Sequence, residues 1–359
     1  MRVLLISPLP PPPGGDSTWT VNYLNYAKKV GYKVNIVNTA VIGSRALSVN
    51  GANRIYDEIK RSLLIWYNIN KAIKIFRPDI VHINTNCSPQ GLIRDYIEAR
   101  IIESKRIPFV IHCHCNVPDQ IKNSQIGLFF LRKIENMAHA VITLNDASKK
   151  YAEGITKHHV VIIPNFIDTS YLIEKPKVIS RYLKKILFVG HVRKSKGVTE
   201  LAEAANSYTD IEFQLVGPIT DEMSGYEFPQ NVKIYGSVSE MEVKRLLIGA
   251  DIFLFPTYTE GFSVSLLEAM SMGVPIIATD VGANKYMIEN KGGVIIPPQN
   301  SQAIIEAINY LKDRKIRSQM SQWNIKKVKE HFTCESVIAE YMKLYELKSA
   351  EGIKNRTGG

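Results

Sequence analysis

Apolar residues in this chain fall mainly into short, nearly unbroken runs separated by longer stretches in which they recur every three or four residues. Runs of the first kind lie at Arg2–Ser7, Lys33–Val37, Asp79–Ile83, Pro108–His114, Ala140–Leu144 and Val160–Ile163. Others follow at Lys185–Gly190, Ile211–Gly217, Val232–Gly236, Ile252–Phe255, Val274–Thr279 and Gly293–Ile296. Short apolar runs without alternation predict strands buried on both faces, as in parallel sheets. Helical spacing covers Asp57–Phe76, Gln302–Lys312, Arg317–Glu330 and Cys334–Leu347. A further helix is expected from a cap at Asp16, Ser17 or Thr18 to Val30, with Gly31 as its stop. Asp57–Phe76 sets Ile59, Leu63, Trp66, Ile69 and Ile73 against Lys60, Arg61, Lys71 and Lys74. The fold class is α/β.

The strand pattern begins at Val3 and begins again at Lys185, and 359 residues suffice for two cores. The expected domains are 1–168 and 184–332, joined by a linker over 169–183. A helix over 333–348 follows, then a flexible tail over 349–359. Residues 39–56 are polar and irregular and read as a loop.

The most informative stretch runs from Phe255 to Pro275. Pro256 ends a buried strand because it has no N–H for a central ladder. A polar turn containing Glu260 leads into an apolar helix that carries Glu268 and stops at Gly273 and Pro275. Between the carboxylates lie the N–H groups of Gly261, Phe262, Ser263, Val264 and Ser265, at a helix start that favours an anion. A nucleotide diphosphate sugar, with hydroxyls at both ends and phosphates between, suits this layout.

The segment E-G-F-S-V-S-L-L-E-A-M-S-M-G-V-P (260–275) resembles the E-x7-E signature of glycosyltransferase family 4, retaining enzymes of GT-B architecture. The resemblance implies two Rossmann-like domains facing across a cleft, with the last helix crossing back to the first domain. It implies that Glu260 contacts the transferred sugar and that Glu268 binds ribose hydroxyls. G-H-V-R-K-S-K-G (190–197) is similar to the family's diphosphate loop, with Lys196 on its lysine. His191 stands where the family has arginine, and Arg193 can supply the missing charge. Gly236, Ser237 and Val238 lie where the family's backbone meets the nucleotide base. Gly14-Gly15, after the first strand, match a glycine pair of the family that faces the donor. A plain turn explains such a pair equally well. Of the two histidines that share one face of a strand, His114 at the tip matches the family's sugar-contacting histidine, with His112 as the fallback. Pro164-Asn-Phe-Ile-Asp168 resembles the family's P-N-G-V-D segment with Phe166 in place of glycine.

Charge adds one feature. Residues 1–180 carry 23 Lys/Arg against 13 Asp/Glu, and the remainder 22 against 21, so the excess positive charge is in the first half. Such a half can serve an anionic substrate or lipid surface. The Asp57–Phe76 helix can lie on lipid, or pack on a sheet with its charges in water. No helix-turn-helix, zinc or RNA-binding signature is present, so no nucleic-acid partner is expected. Cys87, Cys113, Cys115 and Cys334 form neither a CxxC pair nor a zinc spacing, which suits a reduced cytoplasmic protein. No signal peptide or bilayer-length run is read, so the expected location is cytoplasmic, with peripheral attachment to the inner face of the membrane.

The reading is therefore a hexosyl- or related transferase that moves a sugar from a nucleotide donor to a glycan or lipid-linked acceptor, in polysaccharide or glycolipid assembly. No D-x-D occurs, so no metal and no other cofactor is expected. The alternatives are a nucleotide-sugar epimerase of the same architecture and a non-catalytic GT-B subunit.

Overall fold

The computed structural model describes residues 1–12, 14–43, 55–173 and 177–357, the last seven by backbone alone. Most of the loop expected at 39–56, part of the linker and the end of the tail lie outside the described residues. The chain divides into two compact units, Met1–Asn165 with Cys334–Gly359, and Phe166–Thr333.

The first unit is built on six parallel strands: β1 (Arg2–Ser7), β2 (Lys33–Asn38), β3 (Ile80–Thr85), β4 (Phe109–Cys113), β5 (Ala140–Thr143) and β6 (Val160–Ile162). Their order is β2-β1-β3-β4-β5-β6. Pairing of Leu4 with Val81 and of Ile83 with Ile111 puts one apolar set on one face. The helices are α1 (Gly15–Val30), α2 (Ile55–Phe76), α3 (Pro89–Ser104), α4 (Val117–Ile121), α5 (Gln125–Glu135) and α6 (Asp146–Glu153). Ile65 and Ile69 of α2, Ile102 of α3 and Leu131 of α5 share a core with that face.

Two local expectations change. The helix α1 starts earlier than expected, with extended Gly14 at its N-cap and no side-chain cap. Ser17 Oγ instead donates to Gly14 O at 3.0 Å, because Asp16, Ser17 and Thr18 already lie inside the first turn. In α2, Ile65 and Ile69 are buried, but Ile59 and Leu63 are exposed beside Ile55, Tyr56, Leu64 and Tyr67. At about 100° per residue the helix has room for one core-facing stripe, and the second apolar ridge points to water.

The second unit has β7 (Lys185–Val189), β8 (Glu212–Val216), β9 (Val232–Gly236), β10 (Ile252–Phe255), β11 (Ile276–Thr279) and β12 (Gly293–Ile296). They are parallel, in the order β12-β11-β10-β7-β8-β9. The sequence order reverses where β7 meets β10, the place where open α/β sheets leave a crevice at their carboxyl edge. Around this sheet stand α7 (Val198–Ala205), α8 (Glu240–Gly249), α9 (Val264–Ser271), α10 (Asn284–Ile288), α11 (Ser301–Tyr310) and α12 (Arg314–His331).

The described part of the segment expected as a linker is tied to the second unit. Lys177 Nζ donates to Ile248 O at 2.5 Å, and Arg314 Nε to Ile179 O at 3.1 Å. Phe166 is wholly buried, so the residue that replaces the family's glycine serves as a core side chain. The last helix, α13 (Cys334–Thr357), packs in the first unit against α1 and β3. It runs into the stretch expected to be a tail, where Ala350, Glu351 and Lys354 are good helix formers.

Candidate functional site

The carboxyl edge of the second sheet gathers the loops after β7, β10 and β11. Gly197, at φ 71°, lies so close to Pro256 O that a Cβ there would stand 2.0 Å away. Tyr258 N–H donates to Ser195 O at 3.0 Å, which ties the two loops again. Gly282 approaches Glu260 O just as closely, and Ala283 N–H donates to Gly261 O at 3.0 Å. Backbone contact at this range leaves no room for side chains, so the three loops are held as one surface.

On that surface Lys196 forms an ion pair with Glu260, and each side chain is 17% exposed. His191 is half-buried; desolvation, then the nearby charges of Arg193 and Lys196, lower its pKa and keep the imidazole neutral near pH 7. Among the described residues Arg193 Nε is buried with no hydrogen-bond partner. Ser263 caps α9, its Oγ accepting from Leu266 N–H at 3.2 Å. Phe262 is buried against Phe332, with ring centroids 5.4 Å apart, so only its backbone is available to a ligand. Gly261 is buried and Val264 half-buried at the same helix start. Gly236 ends β9 at φ 65°, its carbonyl accepting from Gly217 N–H, and Val238 is half-buried just beyond.

Glu268, on α9, is mostly buried beside side chains that sequence reasoning missed. Desolvation, then the nearby carboxylates of Glu268 and Glu240, raise the pKa of Tyr171. Lys244 Nζ lies 3.8 Å from the centre of the Tyr171 ring and 3.1 Å from Glu240 Oε1. Burial, then repulsion from Glu240, pushes the Glu268 carboxyl up to about 7, while Tyr171 and Lys244 pull it back. No sequence pattern marks this group, because Tyr171 lies nearly a hundred residues before Glu268, in what reads as a linker.

In the first unit Gly14 and Gly15 are exposed at the start of α1, and Ser17 Oγ lies 4.0 Å from a Cβ placed on Gly14. His114 does not reach solvent: its side chain is 1% exposed, with Nδ1 3.7 Å from Asp16 Oδ1. His112 lies deeper, its ring 3.8 Å from that of His114, and both pack on Trp19. His82 completes the group, with Nδ1 2.6 Å from the Tyr345 hydroxyl of α13. Burial, the largest cause, drives the pKa of His82 and His114 down to about 3 and that of His112 well below its usual value. Among the described residues no three His, Cys, Asp or Glu side chains form a metal site.

Two family models match end to end. Residues 13–171 match Glycosyltransferase Family 4, and residues 173–327 match Glycosyl transferases group 1. The chain belongs to glycosyltransferase family 4. Within this family it is 24% identical over 252 residues to TuaC of Bacillus subtilis, a putative teichuronic acid biosynthesis glycosyltransferase. That match takes in 67% of this chain and 62% of TuaC, less than two thirds of the relative. The solved sucrose-phosphate synthase of Thermosynechococcus elongatus superposes with a TM-score of 0.81 at 16% identity, over 98% of this chain and 99% of that one. HepE of Anabaena, solved with UDP and glucose, superposes at 0.71 and 19% identity, over 96% and 99% of the two chains. These likenesses establish the GT-B architecture for this chain.

Proposed function

We propose that this protein transfers a sugar, with retention, from a nucleotide-diphosphate sugar to a glycan or lipid-linked acceptor. The second unit holds the donor. The observation that carries the reading is the convergence of Lys196, Arg193, His191 and Glu260 on loops locked together at the carboxyl edge of its sheet. Without ligand, Lys196 and Glu260 neutralise each other. A diphosphate competes for Lys196, and Glu260 is released to the sugar hydroxyls. As the bond from the anomeric carbon to the phosphate oxygen breaks, Lys196 and its neighbours stabilise the charge on the leaving diphosphate. The acceptor oxygen bonds to the anomeric carbon and gives up its proton to the leaving diphosphate oxygen. Glu268 takes the ribose hydroxyls, and the backbone at Gly236 and Val238 meets the base. Fixed cations at 190–197 and the missing D-x-D support a mechanism that needs no metal.

The basic first unit receives the acceptor, and Gly14 and Gly15, exposed at the start of α1, face the donor. His114 is assigned to the donor sugar over His112 because it stands next to surface-reaching Asp16. Exposed Ile59, Leu63 and Tyr67, interleaved with exposed Lys60, Lys71 and Lys74, support peripheral attachment of α2 to an anionic membrane. The assembly role named for TuaC supports a place in polysaccharide or glycolipid synthesis. The test is a thermal-shift panel of nucleoside diphosphates and sugar nucleotides, with and without EDTA. One of them should raise the melting temperature in proportion to its affinity, and EDTA should not remove the shift. No stabilisation by any nucleotide would refute the reading.

A further inference from the structure

Thr257 and Thr279 stand outside every role assigned above, although both lie where the three loops of the second unit meet. Thr257 follows Pro256 just past β10 and is wholly buried. Its hydroxyl lies 3.1 Å from Thr259 O and 3.4 Å from Ser195 O. Those carbonyls belong to the residues immediately before Glu260 and Lys196, the two partners of the ion pair. Tyr258 N–H donates to the same Ser195 O, and beyond Lys196 the Gly197 backbone lies against Pro256 O. Residues 256–258 thus grip the backbone on both flanks of Lys196. Thr279, at the end of β11 and also wholly buried, donates from Oγ1 to Thr257 O at 2.5 Å. Its own carbonyl accepts from buried Asn284 Nδ2 at 3.1 Å.

We propose that Thr257, anchored by Thr279, is a positioning residue that sets the spacing of Lys196 and Glu260 for a bound sugar nucleotide. The inference rests on the reading of Lys196 as the diphosphate contact and Glu260 as the sugar contact. A threonine hydroxyl has one proton, and here two carbonyls are within its reach, one on each loop. Each carbonyl stands directly before a working side chain, so a shift of either loop carries that side chain with it. Neither side chain sits on a long rigid element. Lys196 ends a 3-10 turn, Lys194–Lys196, and Glu260 lies in the turn before α9. Groups on such loops keep a productive geometry only when buried neighbours fix the backbone beneath them. Burying a hydroxyl costs its hydration, which its hydrogen bonds offset. Valine has the same shape without that cost, so the hydroxyl itself carries the inference.

The experiment starts with the ligand-free, full-length protein. Lysines are trace-labelled with acetic anhydride, and the rate at Lys196 is read by peptide mass spectrometry in the parent, Thr257→Val and Thr257→Ser. Lys327, 12% exposed and paired with Glu289 in the same unit, is the internal reference. A lysine held on its carboxylate reacts slowly. Thr257→Val should raise the rate at Lys196 relative to Lys327 by about threefold, the scale of one lost hydrogen bond. Thr257→Ser, which keeps the hydroxyl, should return the parent ratio. UDP, GDP and ADP are then titrated calorimetrically into the same proteins. The diphosphate that the parent binds best should be weakened about threefold to tenfold in Thr257→Val and unchanged in Thr257→Ser. Should Thr257→Val fail to fold, Thr279→Val must give the same two changes. An unchanged ratio at Lys196, an unchanged affinity, or an equal loss in Thr257→Ser overturns the positioning role while the donor reading stands. A parent that binds none of the three diphosphates overturns the donor reading, and this inference with it.

Discussion

Lys196 and Glu260, sixty-four residues apart in sequence, form an ion pair at the carboxyl edge of the second sheet. Each is mostly buried, so removing one leaves the other poorly solvated. Lys196→Ala should cost about 2–5 kcal/mol in transition-state stabilisation, the scale for truncating one partner of a buried charged pair. Glu260→Gln should lower turnover while leaving diphosphate affinity unchanged or raised, because it frees Lys196. Glu268→Ala should weaken nucleotide binding by about 1.5–3 kcal/mol. Steady-state kinetics with direct binding tests the set. A larger loss of diphosphate affinity in Glu260→Gln than in Glu268→Ala would reverse the two roles.

His191 is held neutral by burial and by the charges of Arg193 and Lys196, and a bound diphosphate favours its protonated form. Proton uptake then accompanies donor binding, so the imidazole contributes more at pH 6 than at pH 8. His191→Arg should keep activity and flatten the loss of rate across that range, whereas His191→Ala should cost less than Lys196→Ala. The pH profile of turnover is the measurement. An inactive His191→Arg beside an active Lys196→Ala would remove the diphosphate from this loop.

Asp251 anchors the second unit. Its Oδ2 accepts from the N–H groups of Lys184 and Lys185 at 2.8 and 3.0 Å, and Oδ1 lies 3.7 Å from Arg317 Nη1. Arg317 is wholly buried, and its Nη2 donates to Ser180 O at 3.0 Å. Asp251→Ala leaves that guanidinium uncompensated and should cost about 3–5 kcal/mol in urea unfolding. Asp210→Ala removes only the exposed pair with Lys184 and should stay within about 0.5 kcal/mol. Equal costs would mean that the buried pair has no special weight.

The buried histidines of the first unit make stability depend on pH. Their folded pKa values lie below the unfolded value near 6.5, so the unfolded chain binds more protons once the pH drops under 6.5. Stability from neutral burial is complete above that pH and is lost as pH falls toward 3. Glu98 and Glu135, pushed up to about 8 by burial above all, act in the opposite direction. Comparison with His112→Leu therefore isolates the histidine. The difference in unfolding free energy between parent and variant should shift by about 2 kcal/mol between pH 6.5 and 5. A difference independent of pH would show that His112 is not buried neutral.

Attachment through α2 predicts that anionic vesicles float the protein at low salt and release it at high salt. Each Lys or Arg near such a surface contributes about 1 kcal/mol. Replacing Lys60, Lys71 and Lys74 by Glu should abolish flotation and leave the thermal unfolding temperature nearly unchanged. Equal flotation with neutral vesicles would exclude the electrostatic part of the idea.

Strand positions were legible in the sequence because a strand enclosed on both faces must be apolar throughout. Val3–Ile6, Leu187 and Phe253 are fully or almost fully buried for that reason. The turn, helix and stop around Glu260 and Glu268 were legible too, since Pro256, Ser263 and Gly273 act through local backbone geometry. Side-chain partnerships across long separations were not. The pairing of Lys196 with Glu260 and the placement of Tyr171 beside Glu268 depend on which strands lie side by side, and no local preference encodes that. The same holds for α2, whose two apolar stripes look alike in sequence until packing buries Ile65 and Ile69 and leaves Ile59 and Leu63 in water. His114 reads as a strand tip open to substrate, yet α1 brings Trp19 and Asp16 over it. Sequence determined the elements and their local chemistry; tertiary packing decided which charges meet, because burial and proximity are properties of the assembled layers.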